Sequence, residues 1–198
     1  QPNSAIPPNL VGAQSKGARG SVMGALDTAK IAGLAGLSKT APTSKAKGDA
    51  LEELICDVFE AIPGISVSAR NKKNVAQTEE IDIAFFIEDG GALRFASWML
   101  LVECKNWSNP VGSEAVSWFD TKLRHRGVEF GILVAVNGIT GDSDSITAAH
   151  SIVSQALGEK RRLVVITLAE LLTLSHSDEL VKLIKTKLCE LVVRGSAL

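Results

Sequence analysis

No Cys-x-x-Cys pair occurs in this chain; its three cysteines, Cys56, Cys104 and Cys189, are scattered and odd in number. Structural zinc is therefore not expected, and three reduced thiols in the core of a cytosolic protein are. No apolar run approaches the roughly 18 residues that a membrane-spanning helix needs. The first 30 residues lack the apolar core of a signal peptide. A cytoplasmic protein is the expectation. The histidines His125, His150 and His176 lie far apart on helical stretches, and no triad with a nucleophile is apparent. Gly138-Ile139-Thr140-Gly141 follows a strand, but no Gly-Lys-Ser/Thr comes after it, so it is not a phosphate-binding loop and no nucleotide cofactor is indicated. The chain begins with Gln1 rather than Met, which suggests a fragment or a trimmed chain.

What is present is a substantial core. Hydrophobic residues make up 45% of the 198 positions. Strands rich in Val, Ile and Leu alternate with helical stretches, which indicates an α/β class. The net charge of −1 does not by itself suggest a polyanion-binding protein, but it is unevenly spread. Lys16, Arg19, Lys30, Lys39, Lys45 and Lys47 face only Asp27 in the first 47 residues, so a basic N-terminal segment precedes an acidic body.

Residues 1–20 are rich in Pro, Gly, Ser and Asn and have no period. Residues 22–37 read as a short, weak helix, because each glycine in a helix costs roughly 1 kcal/mol relative to Ala. Residues 38–48 read as a linker. The expected organisation is thus a flexible basic arm, 1–46, and a compact domain, 47–198. The domain opens with an amphipathic helix from Asp49, its N-cap, to Glu60, with Leu51, Leu54, Ile55, Val58 and Phe59 on one face and Glu52 beside that stripe. Ile65–Ala69 alternates as an edge strand, and Arg70-Asn71-Lys72-Lys73-Asn74 reads as a basic loop. Ile81–Ile87 is a strand carrying Asp82. Helix 113–126, strand 130–136, helix 143–158, strand 163–166 and helices 169–174 and 177–193 complete the order.

The chain is organised around Met99-Leu100-Leu101-Val102-Glu103-Cys104-Lys105-Asn106-Trp107. An apolar strand ends in an acid and an ammonium two residues apart. Residues i and i+2 of a strand share a face, so Glu103 and Lys105 point together and Cys104 points away with Leu100 and Val102. Such a pair is costly to bury unless it is paired or binds an ion. A tight turn at Asp89-Gly90-Gly91 would set Asp82 opposite residue 98. A longer loop, 88–96, or a bulge would bring it beside Glu103, and the loop is the favoured arrangement.

Helix with Glu52, strand with Asp82, strand with Glu103-Cys104-Lys105, then helix and strand: in this order the sequence resembles the PD-(D/E)xK nuclease superfamily, and more closely its Mrr-type (type IV) restriction endonucleases. The matching residues are Gly48-Asp49-Ala50-Leu51-Glu52, Ile81-Asp82-Ile83, Leu101-Val102-Glu103-Cys104-Lys105-Asn106-Trp107 and Pro110-Val111-Gly112. The likeness covers roughly residues 47–174. The chain departs from the family at Glu80-Ile81-Asp82, where relatives carry Gly-Ile-Asp or Pro-Asp, which leaves Glu80 as a partner or substitute for Asp82.

The resemblance implies a restriction-endonuclease-like α-β-β-β-α-β core with a mixed sheet, and Mg²⁺-dependent hydrolysis of DNA phosphodiester bonds with Mn²⁺ as a substitute ion. Hard Mg²⁺ prefers carboxylate oxygens. Asp82 and Glu103 would supply two ligands and the Cys104 carbonyl a third. Lys105, beside two carboxylates, stays charged and can orient water or neutralise developing charge. Glu52 could add a ligand or position Lys105. Asn106 and Trp107 could steady the strand exit or touch the substrate, with packing the first reading for Trp107; Trp118 reads as core or dimer surface, and Gln155 as a surface residue that could instead face the cleft. Lys72, Lys73, Arg124 and Arg126 are the foremost candidates for DNA contact, with Arg70, Lys122 and 160–162 beside them. Cutting both strands needs two sites, hence a homodimer. Two alternatives stand beside this reading: a structure-specific or RNA-directed nuclease on the same fold, and a nucleic-acid-binding module with a decayed site.

Overall fold

The runs at 81–87, 99–102, 130–135 and 163–166 are apolar on both faces, as strands must be when helices cover both sides of a sheet. The computed structural model, which describes residues 24–143 and 147–195, builds a five-stranded sheet from these four and the more polar strand Ile65–Lys73 at its edge. The elements are α1 (Thr28–Thr40), α2 (Ser44–Glu60), β1 (Ile65–Lys73), β2 (Glu80–Ile87), β3 (Met99–Lys105), α3 (Ser113–His125), β4 (Phe130–Ala135), α4 (Ala149–Gly158), β5 (Arg162–Ile166), α5 (Leu168–Leu171) and α6 (Ser177–Arg194). The strands lie in chain order. β1–β2 and β2–β3 are antiparallel, and β3–β4 and β4–β5 are parallel. This is the expected mixed α/β architecture. Among the described residues no helix is long and apolar enough to cross a membrane.

Two cores sandwich the sheet. On one side Leu54, Ile55, Val58 and Phe59 of α2 and Ile184 of α6 pack against Phe85, Leu100 and Val102. On the other, Val116, Phe119 and Leu123 of α3 and Val153 of α4 meet Leu101, Leu133 and Val165. Alternation along β3 therefore sends Leu101 and Glu103 towards α3, and Leu100, Val102 and Cys104 towards α2. Gly131 of β4 sets how close α3 comes. A Cβ there would sit 2.7 Å from Leu123 Cδ1 and 2.9 Å from Phe119 Cζ, so any larger residue would have to displace these two side chains of α3.

Three expectations are corrected. The boundary at 47 does not hold for residues 24–46; residues 1–23, the rest of the expected arm, lie outside the described residues. α1 starts and ends later than the weak 22–37 helix, running from Thr28 to Thr40, and its Ile31 and Ala35, with Leu26 before it, are buried in the α2-side core. Leu26 N–H also donates to Ser175 O at 2.9 Å. The wide spacing of these apolar residues hides their shared face until a partner surface is present. Next, the linker is shorter than 38–48, and α2 starts at Ser44, with Thr43 Oγ1 accepting from Ala46 N–H at 3.1 Å. Asp49 is not the cap; it meets Lys45 at 2.6 Å instead. Finally, 70–73 is strand and not loop, and only Asn74 of the expected loop lies beyond it. β1 pairs with β2 from Ile65↔Ile87 to Lys73↔Glu80, with a shift between Val67 and Ala69. Pairing with a neighbour, not local polarity, decided that segment, and an edge strand tolerates polar side chains.

Candidate active site

The long connection between Ile87 and Met99 replaces a tight hairpin turn and sets the register Ile83↔Val102 and Ala84↔Leu101. One step further along this ladder, Asp82 lies opposite Glu103. The contact confirms it: Asp82 Oδ2 accepts the Cys104 N–H at 2.7 Å. Two carboxylates thus meet where β2 begins and β3 ends. Burial first, then the Glu103 charge, pushes the Asp82 carboxyl up to about 6, against the opposing effects of the Cys104 N–H, Lys105 and Lys122.

Glu103 is only 2% exposed, and it survives there because it is paired. Lys105 Nζ donates to Oε1 at 2.7 Å. Lys122 Nζ, buried on α3, donates to Oε1 at 2.9 Å and to Oε2 at 2.7 Å. Burial works against the Lys105 ammonium, but Glu103 and Asp82 outweigh it and the net shift is upward. Lys122 is the residue that sequence reasoning placed wrongly, as one of several cations for DNA. It sits three positions after Phe119 and one before Leu123, both core residues, so helical spacing already put it on the inward face of α3.

The other expected residues are less tightly gathered. Glu52 is buried on α2 and bonded to Asn71 Nδ2 at 2.9 Å, with Arg70 at 3.6 Å, rather than to Lys105. Asn71 lies between Arg70↔Ile83 and Lys72↔Ile81, hence across from Asp82, and so links Glu52 to the carboxylate row. The Cys104 thiol is raised well above its ordinary value by burial and by the charges of Asp82, Glu52 and Glu103. Glu52 is therefore within electrostatic reach of the site. Glu80 is the register partner of Lys73 at the start of β2. Asn106 Nδ2 donates to Ser38 O at 2.7 Å and Lys47 O at 3.2 Å, tying the β3 exit to α1 and α2. Trp107 and Trp118 are not packing aromatics: both rings are half exposed.

Of the cations assigned to DNA, Lys72, Lys73 and Arg124 are exposed. Arg126 is engaged by Glu79 at 3.0 Å, beside a His125–Glu79 contact of 2.6 Å. Arg161 is bound to Asp120 at 2.6 Å and Arg162 Nη2 lies 3.6 Å from Glu129 Oε2, so 160–162 is not a free basic turn. Gln155 is exposed on α4. A groove that the sequence did not suggest opens beside the β3 exit, about 440 Å³ in volume, with Lys39, Lys47, Asn106 and Trp107 among its walls.

Among the described residues no three His, Cys, Asp or Glu side chains converge as a metal cluster. The donor set nevertheless suits a hard divalent cation, which binds through one or two carboxylates and keeps several waters. A carboxylate has about four lone-pair sites. The two lysines occupy two sites on Glu103 Oε1 and one on Oε2. One lone pair of Oε2 stays available, and Asp82 Oδ1 accepts no hydrogen bond among the described residues.

An α/β sheet of this order, with an acid on β2 opposite an acid-x-lysine on β3, defines a nuclease of the restriction-endonuclease-like class. The sequence model of the family described as Restriction endonuclease (Mrr_cat) matches residues 43–183, and the chain belongs to that family. No curated protein and no solved structure matches it. The domain is thus a restriction-type nuclease, a hydrolase.

Proposed function

We propose that this domain is a Mg²⁺-dependent endodeoxyribonuclease acting in restriction of, or defence against, foreign DNA, with Mn²⁺ able to replace Mg²⁺. One observation carries the reading: Asp82 and Glu103 face each other across two strands with Lys105 2.7 Å from Glu103. Asp82, Glu103 and the Cys104 carbonyl would hold the ion. When bound, it supplies an acidified water and positive charge at the scissile phosphate.

The chain's own residues do the rest. Lys122 clamps both Glu103 oxygens, so the carboxylate cannot rotate away as substrate arrives. Lys105 shares only Oε1 and is partly exposed, so its remaining N–H groups can meet the attacking water or a phosphoryl oxygen. Glu52, held by Asn71, adds negative charge that favours a cation near Cys104. Lys72, Lys73 and Arg124 would contact backbone phosphates, and Arg126 would do so only by leaving Glu79. Cleaving both strands of a duplex needs two such sites, and a homodimer would supply them.

The experiment is incubation of the protein with plasmid, single-stranded DNA and RNA, with Mg²⁺ and with EDTA. DNA cleavage that needs the metal is expected. Cleavage of RNA alone, or no cleavage together with no calorimetric Mg²⁺ or Mn²⁺ binding, would overturn the reading.

A further inference from the structure

A cavity of about 400 Å³ opens beside Lys105, and its other walls are Trp107, Gly112, Glu114, Ala115 and Trp118. That volume falls within the roughly 300–1,000 Å³ of small-ligand sites. Trp107 and Trp118 are 47% and 46% exposed. Leaving two indoles half in water forfeits much of the burial that tryptophan usually gains. Neither ring stacks on another aromatic among the described residues.

Both rings are fixed to the elements that carry the acidic site. Trp107 lies two residues beyond Lys105, whose Nζ is 5.7 Å from its ring centroid. Its backbone is held by Asn137 Nδ2, which donates to Trp107 O at 2.6 Å. Trp118 precedes Lys122 by one helical turn on α3, and Lys122 in turn grips Glu103. Trp107 also walls the neighbouring groove with Lys39 and Lys47. The two cavities therefore share one indole and differ in their other walls: Lys39 and Lys47 on one side, Trp118 with Lys105 and Glu114 on the other.

We infer that the Trp107–Trp118 cavity binds an unpaired nucleobase of single-stranded DNA, with the adjoining phosphates running past Lys105 into the Lys39–Lys47 groove. The inference rests on the nuclease reading and names its substrate. Indole faces stack on bases of any identity, and cationic grooves track the backbone. Glu114 on the wall would repel a phosphate but can accept a hydrogen bond from a base amino group, so the base belongs in this cavity and the phosphate outside it. Bases inside a duplex have both faces covered by their neighbours, so a paired base cannot enter. A single strand also needs only one active site.

Binding is measured in EDTA, so that it reports on the cavity alone. Tryptophan emission is titrated with oligo(dT) and with a blunt-ended duplex of equal length, in a Trp98→Phe background. Trp98 lies at the far end of β3, against Phe86, and its removal leaves the two relevant indoles as reporters. Oligo(dT) should quench emission and bind more tightly than the duplex. Trp107→Ala and Trp118→Ala should each weaken oligo(dT) binding about tenfold or more, with duplex affinity little changed and melting temperature preserved. Trp107→Phe, whose ring still stacks, should recover most of the loss. Equal quenching by duplex and oligo(dT), or folded alanine variants that bind oligo(dT) like the parent, would overturn the inference. Cleavage is assayed separately with Mg²⁺. A parent that cuts duplex, with tryptophan variants that cut and bind unchanged, removes this inference and spares the nuclease reading; a parent that cuts nothing removes the nuclease reading itself.

Discussion

Asp82→Asn should make the metal-free protein more stable. Asp82 is half-buried opposite a second carboxylate, and its pKa stands at about 6 in place of 3.8. The folded state therefore holds a proton that the unfolded chain releases between these values. The stability tied to that proton is fully present below about pH 4 and is lost as pH rises through about 6. A difference of roughly two units, at 1.36 kcal/mol each, sets an upper bound near 3 kcal/mol at pH 7. Partial exposure brings the expected gain down to about 1–2 kcal/mol. Asparagine keeps an oxygen to accept the Cys104 N–H, so the strand contact survives. The assay is urea unfolding in EDTA at intervals from pH 4 to pH 8 for parent and variant. The gap should be near zero at pH 4 and level off above pH 6.5. With Mg²⁺ added, the parent should gain stability and Asp82→Asn should not. A variant destabilised equally at every pH would refute the reasoning, because it would mean that Asp82 is a structural anchor rather than a strained ligand.

Lys105→Ala should leave Mg²⁺ binding by calorimetry intact or improved, since an ammonium has no lone pair, while single-turnover cleavage of DNA falls about a hundredfold or more, roughly 2.7 kcal/mol; a variant that cuts like the parent would make the Glu103–Lys105 pair structural. Lys122→Met removes one partner of a buried ion pair and should cost about 3–5 kcal/mol in denaturant unfolding, most of it recovered when Glu103→Gln is added; strictly additive losses would show that the two side chains are not coupled. Ile31→Ala should cost about 2–5 kcal/mol by the same measure, because α1 belongs to the core; a loss below about 0.5 kcal/mol would mean that this helix is only loosely attached.

The amino-acid sequence alone determined the features that rest on short-range periodicity. The two-residue repeat of β3 separated Glu103 and Lys105 from Cys104, and the structure keeps Cys104 on the opposite, α2 side. Apolar runs with helices between them sufficed for the α/β class, and the spacing of Leu51, Leu54, Ile55, Val58 and Phe59 for the buried face of α2. Tertiary structure decided whatever depended on a second surface. For Asp82 the sequence left two registers open and favoured the long loop; the packing of the 88–98 connection decided for the one beside Glu103. α1 looked too glycine-rich to matter, because its few apolar residues show their purpose only against α2 and the core behind it. Lys122 looked like one charge in a basic helix end. Its role depends on Gly131, where the missing side chain lets α3 close on the sheet until the ammonium meets both oxygens of Glu103. An ion pair between residues on different elements is a fact of three-dimensional distance, and a sequence states only the two charges.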